Sequence, residues 1–416
     1  MLAKIIKTEL SLPSAMKEDI NIECSEFSRF ILEHDGCDTG RLLFSSARYP
    51  GIDLKLAAAT IEARKKIKNK VPLWFGYPGL RYPTSLCIEQ CSSQTAALYK
   101  QRFVPEGGCI ADITGGLGID CFFMSQKASK ADYIERDDIL ASAAERNFAI
   151  LGLSNIIVIN CDSDHFLNKA IESGDRFDLI FADPARRSAT ASRIYSIVDC
   201  EPDILSLKDK LFAVSGTVLV KVSPMADISH TASILPECSE IHVVSVDNEC
   251  KELLLLLKKG HKGEPAITAA TLSSKGRKEE IFSFMPHEEK ETEPIIAAEL
   301  EKYIYIPDKA LLKAGAFNLT ASRFGLKKLA QSTHLYTSRN ISDSFQGKIR
   351  EIKEILPFSK ASLQEIASHY THIEPVAINF PMDTAELKKR LKTKDGGNDK
   401  LIATTLSNKE KVLIIC

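Results

Sequence analysis

Between residues 105 and 260, short apolar runs alternate with amphipathic stretches. The runs CIADI (109–113), ADYIE (131–135), NIIVINCD (155–162), FDLIFADP (177–184) and GTVLVKV (216–222) have the length and bounding polar residues of buried strands. Residues 139–151 place Leu140, Ala143, Ala144, Phe148 and Leu151 on one face, which is a helical period. Strands separated by helices imply right-handed crossovers and hence a doubly wound, mostly parallel α/β sheet. The runs IHVVSV (241–246) and ELLLLL (252–257), joined by Asp247-Asn248-Glu249-Cys250, predict an antiparallel hairpin at its edge.

The flanks read differently. Residues 1–95 predict a helical region, with Leu56, Ala59, Ile61, Ala63 and Ile67 marking a helix that ends by Pro72. The loop FGYPGLRYPTS follows, and a further helix over 85–102 leads to Gly107-Gly108. After the sheet domain (96–265), the strands AITAATL (266–272) and EEIFSFM (279–285), a charged connector at 287–295 and the segment YIYIPDKALLKAGAF predict a small α/β unit over 266–340. A last unit, 341–416, holds a helix at 361–369, strands at PVAINF and KVLIIC, and an Asp395-Gly396-Gly397-Asn398 loop.

Composition narrows the class of protein. Hydrophobic content of 44% and charged content of 26% are ordinary for a soluble globular chain. The longest apolar runs fall far short of the roughly 20 residues that a bilayer requires, so no membrane contact is expected. The N-terminal stretch lacks the pattern of a signal peptide, and a cytoplasmic location is expected. The 11 cysteines lack paired spacing, and neither Cys87 with Cys91 nor His369 with His372 and Glu365 completes a metal set, so no metal is expected. Charge is unevenly spread. Residues 301–416 carry 19 lysines and arginines against 12 acids, a net of +7, while the preceding 300 carry 35 against 43, a net of −8. A basic tail beside an acidic body suits a phosphate backbone, and a mixed solvated surface fits equally.

Chemistry concentrates in the loop DITGGLGID (112–120). Small residues at Gly115, Gly116 and Gly118 let the backbone approach a ligand, and the following helix start favours a carboxylate. A dinucleotide fingerprint needs a third glycine where Cys121 stands. The pattern of S-adenosylmethionine sites, an acid followed by G-x-G, fits better, with Thr114 replacing the usual first glycine. Asp112, Glu135, Asp162 and Asp183 then close four successive strands at their C-terminal ends, where open α/β sheets bind ligands. Glu135, 17 residues after Gly118, suits the two ribose hydroxyls, Asp162 the adenine amine, and Asp183-Pro184 the methyl end. Any one of these acids also fits a helix cap.

With EQCSSQTAALYK, ADITGGLGID, YIERD, FADPARR, YIYIPDKALLKAGAF and KTKDGGNDKLIATT, the chain resembles bacterial class I S-adenosylmethionine-dependent methyltransferases that end in a THUMP-like domain. The resemblance spans nearly the whole chain. It implies a Rossmann-like methyltransferase sheet, a ferredoxin-like insert and a THUMP-like unit, with S-adenosylmethionine as cofactor and RNA as substrate class. It implies cofactor contacts from Asp112, Thr114, Gly115, Gly116, Gly118, Asp120, Glu135, Arg136, Asp162 and Asp183. Catalysis would fall to Asp183, Pro184 and Arg186, and substrate contacts to Arg186, Arg187 and Lys221.

Methyltransferases of exocyclic amines commonly carry Asp/Asn-Pro-Pro-aromatic after the fourth strand, the ring stacking on the base. Here Asp183-Pro184-Ala185-Arg186-Arg187 offers an acceptor without a ring. Arg186 can stack through its guanidinium plane or hold a phosphate with Arg187, and both can equally pair with surface acids. Ring-carbon methylation needs a thiolate after the fifth strand. Lys221-Val222-Ser223-Pro224-Met225 provides none, which favours a base nitrogen as acceptor. Lys221 can meet a phosphate or base, or simply snorkel to solvent. A binding protein on an inactive methyltransferase scaffold is the alternative. Oligomeric state is not legible.

Overall fold

The apolar runs become strands in the order expected. A computed structural model describes residues 26–186, 197, 200–276 and 279–416, which divide into one unit up to residue 221 and another from 222. In the first unit β1 (Cys109–Asp112), β2 (Lys130–Glu135), β3 (Ile156–Asn160), β4 (Leu179–Ala182) and β7 (Thr217–Val222) are all parallel, in the order β7-β4-β1-β2-β3. The short strands β5 (Ala185–Arg186) and β6 (Cys200–Glu201) form a separate antiparallel ribbon. All four residues of β4 are buried, which is why this strand is apolar throughout rather than alternating. The order reverses beside β1, so the crevice past the C-terminal ends of β1 and β4 is the natural ligand position.

Helices Ile119–Ser125, Asp138–Ile150, Ser163–Ser173 and Ile204–Val214 link these strands. The helix predicted at 139–151 starts where Asp137 accepts from Ile139 N and Leu140 N at 2.9 and 3.0 Å. Among the N-terminal helices, Leu54–Lys70 buries Ile61, Ala63 and Ile67 as the periodicity required. The single helix expected over 85–102 is instead broken into Ser85–Gln90 and Gln94–Lys100. Cys91 is extended, and the Ser93 hydroxyl accepts from Ala96 N at 3.3 Å, capping the second piece. Adjacent serines offer the backbone local partners that compete with continued helix. That break shapes the site below.

In the second unit β8 (Cys238–Val246) and β9 (Glu249–Lys258) form the expected antiparallel hairpin. The turn is tighter than the four residues anticipated, since Asp247 and Asn248 both take positive φ, 52° and 65°, the twist that two-residue hairpins favour. The strands at β10 (Ala266–Leu272) and β11 (Glu279–Phe284) continue from β8, giving the order β11-β10-β8-β9. The charged connector contains a helix, Pro286–Glu291, started by proline and by Glu288 accepting from Met285 N at 2.6 Å.

Two small sheets follow. The first, β12 (Tyr303–Pro307), β13 (Lys327–Ala330), β14 (Thr333–Ser338) and β15 (Gly347–Glu351), is antiparallel in the order β13-β14-β12-β15. The second, β16 (Glu354–Pro357), β17 (Glu374–Ala377), β18 (Lys400–Thr405) and β19 (Lys411–Ile415), has the order β16-β19-β18-β17. The helices Lys360–His369 and Thr384–Leu391 pack Leu363, Ile366, Leu387 and Leu391 against it. Ile304, Leu329 and Leu335 of the first sheet share a core with Ile402, Val412 and Ile414 of the second. Ile414→Ala should therefore cost about 2–5 kcal/mol and destabilise both sheets in one transition. Hydrogen exchange that loosened 400–415 and left 303–338 untouched would contradict that shared core.

Candidate functional site

The glycine loop is held from beneath by β2. Gly115 N donates to Ile134 O at 2.8 Å, Gly116 N to Glu135 Oε2 at 2.7 Å, and Tyr133 Oη to Gly116 O at 2.5 Å. A Cβ on Gly115 would lie 2.3 Å from the Tyr133 ring, so only glycine fits there. Gly118, at φ 85°, would place a Cβ 2.7 Å from Phe148. The loop is thus pressed onto Tyr133 and Phe148 with its outer face left to backbone.

Thr114 replaces the usual first glycine and uses its hydroxyl. Thr114 Oγ1 accepts from Asp183 N at 2.6 Å and lies 3.4 Å from Asp112 Oδ1, which also accepts from Thr114 N at 3.1 Å. One hydroxyl therefore joins the ends of β1 and β4. Asp112 is buried, and its Oδ2 has no hydrogen-bond partner among the described residues. Burial pushes this carboxyl up to about 8; Asp120, Asp183 and Glu135 press the same way against the Thr114 N–H. An orphaned, reluctantly ionised carboxylate is what an incoming cation would satisfy.

Glu135, at the end of β2, accepts from Gly116 N and, at 2.9 Å, from Asp137 N, leaving one lone pair on each oxygen. Asp162 sits two residues past β3, exposed, and caps the next helix by accepting from His165 N at 2.9 Å. Ser163 Oγ donates to Ile113 O at 2.7 Å, tying that helix start to the end of β1. Arg136 is exposed and paired with Glu201. Pro184 is buried beside Asp183. The Arg186 side chain and all of Arg187 lie outside the described residues.

A second set of charges lies under the loop. Asp120 forms an ion pair with Lys100 at 3.0 Å and accepts from Ser92 Oγ at 2.8 Å. Lys100 is 0% exposed and also donates to Ser92 Oγ at 3.1 Å. Lys221 donates to Asp183 Oδ2 and to Ser92 Oγ, the latter at 3.3 Å, and lies 3.9 Å from Asp120 Oδ2. Burial alone would raise the Asp120 carboxyl, but Lys100, Lys221 and Ser92 hold it below its ordinary value. Ser92 and Lys100 come from EQCSSQTAALYK. That stretch carries the family resemblance but gave neither residue a role; the only local signal was a pair of serines inside an apparent helix.

The site holds four carboxyl groups, Asp112, Asp120, Asp183 and Glu135, and two ammonium groups, of which Lys100 pairs with Asp120 and Lys221 with Asp183. This excess of acid suits a ligand carrying positive charge and opposes a pyrophosphate. S-adenosylmethionine, with its sulfonium and ammonium against one carboxylate, fits the donor set: Asp112 would take the ammonium and Glu135 the ribose. Among the described residues no group of three potential ligands could hold a metal ion, and no helix is long and apolar enough to cross a membrane. Lys100→Met leaves Asp120 buried without its closest cation and should cost about 3–5 kcal/mol in denaturant unfolding, with Lys100→Met/Asp120→Leu recovering much of it. A single variant as stable as wild type would show that the pair holds nothing.

The described ferredoxin-like domain family matches residues 303–345, and the THUMP domain-like family matches 347–416. A crystal structure from Porphyromonas gingivalis W83, named as a candidate methyltransferase, is 35% identical, covers 94% of this chain and 96% of its own, and gives a TM-score of 0.85. A candidate S-adenosylmethionine-dependent methyltransferase from Streptococcus mutans (10% identity, 39% and 46% coverage, TM-score 0.32) and the M. jannaschii tRNA m1G37 methyltransferase (14%, 40% and 49%, 0.28) are too distant to carry an argument. No curated protein matches the chain.

Proposed function

The chain belongs to the class I S-adenosylmethionine-dependent methyltransferases that end in a THUMP-like domain, and we propose that it methylates a nitrogen of an RNA base in the cytoplasm. The observation that carries this reading is the joining of Asp112 and Asp183 by Thr114, above a loop that Glu135 and Tyr133 hold in place. Bound S-adenosylmethionine would supply an electrophilic methyl group. The rest falls to this chain's residues. Asp112 would meet the cofactor's ammonium, Glu135 its ribose hydroxyls, and Asp162 its adenine amine. The carboxylate of Asp183 would accept the hydrogen of the target nitrogen and hold its lone pair in line, since such positioning is most of what a direct transfer requires. Arg186 would stand for the missing aromatic ring, and the +7 charge of residues 301–416 would draw the RNA backbone.

Three outcomes test this. Methyl label should pass to RNA from cells lacking the protein, and Asp183→Ala should lose roughly a hundredfold in turnover with little change in cofactor affinity. Cofactor binding without label transfer would leave only a binding scaffold. Glu135→Gln should weaken cofactor affinity by about 1.5–3 kcal/mol in calorimetry, and unchanged affinity would reject the ribose assignment.

The pH behaviour of Asp112 follows from its raised value of about 8. A carboxyl whose folded pKa is raised contributes stability present below about 3.9 and lost as pH rises through 8. The ligand-free protein should therefore lose stability from this group between pH 5 and about 8, and Asp112→Asn should flatten that slope. Near pH 7, cofactor binding should release close to one proton, seen as a binding enthalpy that varies with the buffer's ionisation heat. A wild-type enthalpy independent of buffer would remove Asp112 from the site.

A further inference from the structure

Lys221, expected from the sequence to contact substrate, has no catalytic part in the reading so far, yet its ammonium is the counter-ion of the acid placed at the target nitrogen. It donates to Asp183 Oδ2, and Asp183 Oδ1 enters no hydrogen bond among the described residues. Asp183 is one-third exposed, so Oδ1 retains access to a substrate, whereas the Lys221 side chain is only 13% exposed. A charge so shielded acts strongly on its neighbours. Asp183, Asp120 and Cys91 face it, with Lys100 beyond Ser92. The site thus offers a hydrogen-bond acceptor and a positive charge side by side.

The sign of that charge discriminates between base nitrogens. An exocyclic amine gains positive charge as it takes a methyl group, because its hydrogens leave only after the new bond forms. A cation beside it opposes that change. A lactam N–H, flanked by the ring carbonyl of guanine or uracil, behaves in the opposite sense. Its nitrogen has no free pair in the ring plane until the proton leaves, and the resulting anion places much of its charge on the carbonyl oxygen. A nearby ammonium favours that anion.

Building on the methyltransferase reading above, we propose that the acceptor is the lactam nitrogen of a guanine or uracil in RNA, with Asp183 taking its proton and Lys221 balancing the charge on the adjoining oxygen. The N–H bond breaks with its proton passing to the Asp183 carboxylate. The electron pair left on nitrogen forms the bond to the methyl carbon, and the carbon–sulfur bond breaks with its pair remaining on sulfur. Asp183 then returns the proton to water.

The test is the identity of the methylated nucleoside, followed by Lys221 variants. RNA from cells lacking the protein is labelled with the wild-type enzyme, digested and resolved into nucleosides. Label is expected in 1-methylguanosine or 3-methyluridine. Lys221→Met should bind S-adenosylmethionine at least as tightly as wild type by calorimetry, since a cation has been removed beside a cationic ligand, and this also reports a folded site. Its transfer rate at pH 7 should fall at least a hundredfold, and the deficit should shrink as pH rises toward the free lactam's own ionisation. Lys221→Arg, which keeps the charge, should recover most of the rate. Label on an exocyclic amine, or a Lys221→Met rate equal to wild type, overturns this inference while leaving the methyltransferase standing. Absence of label from RNA overturns the methyltransferase reading and this inference together.

Discussion

The buried pair of Lys100 and Asp120 is the contact on which the site depends. A lysine with no exposed surface survives only with a carboxylate and hydroxyl partners, and Asp120 and Ser92 supply them. Asp120 opens the helix that follows the glycine loop, while Lys100 ends the N-terminal helix Gln94–Lys100 and Ser92 sits in the break before it. The pair therefore fixes the helical region to the loop. Through Ser92 it also reaches Lys221, and through Lys221 the carboxylate of Asp183. Removing Lys100 or Asp120 leaves the other's charge buried without its closest partner.

Thr114 shows how a departure from a motif can be read. A glycine there would give the loop freedom and nothing else. The threonine hydroxyl instead receives the Asp183 N–H and approaches Asp112, so the glycine loop and the strand end bearing the proposed acceptor are held together. The cost of putting a side chain into the loop is offset by a second link between the two strand ends, beside the main-chain bond from Ile113 N to Phe181 O at 3.0 Å.

Much of this was legible in the sequence because burial leaves long signatures. Five apolar runs mark the parallel strands, since β1, β2, β4 and β7 are largely buried and only the edge strand β3 leaves an apolar residue, Ile157, exposed, and the strand-end acids followed from their places after those runs. The break at Ser92 was not legible, because helical periodicity continues across it and its reason is a capping hydroxyl. Lys100 was equally hidden, as a lysine reads as surface until its partner is known. Strands such as Lys327–Ala330 and Glu354–Pro357 are four residues long and mixed in polarity, so they carried no alternation to recognise. The helix inside 287–295 was masked by its charges, although Pro286 and Glu288 are ordinary helix-start residues.

The central claim is that this crevice takes a cationic adenosyl ligand and not a dinucleotide. Thermal unfolding with S-adenosylmethionine, S-adenosylhomocysteine, NAD and NADP measures this directly, because a ligand that binds only the folded chain stabilises it by about 2.7 kcal/mol at a hundredfold excess over its Kd. The two adenosyl compounds are expected to raise Tm with the logarithm of their concentration, with both dinucleotides inert. A shift with NAD or NADP and none with S-adenosylmethionine would contradict the account.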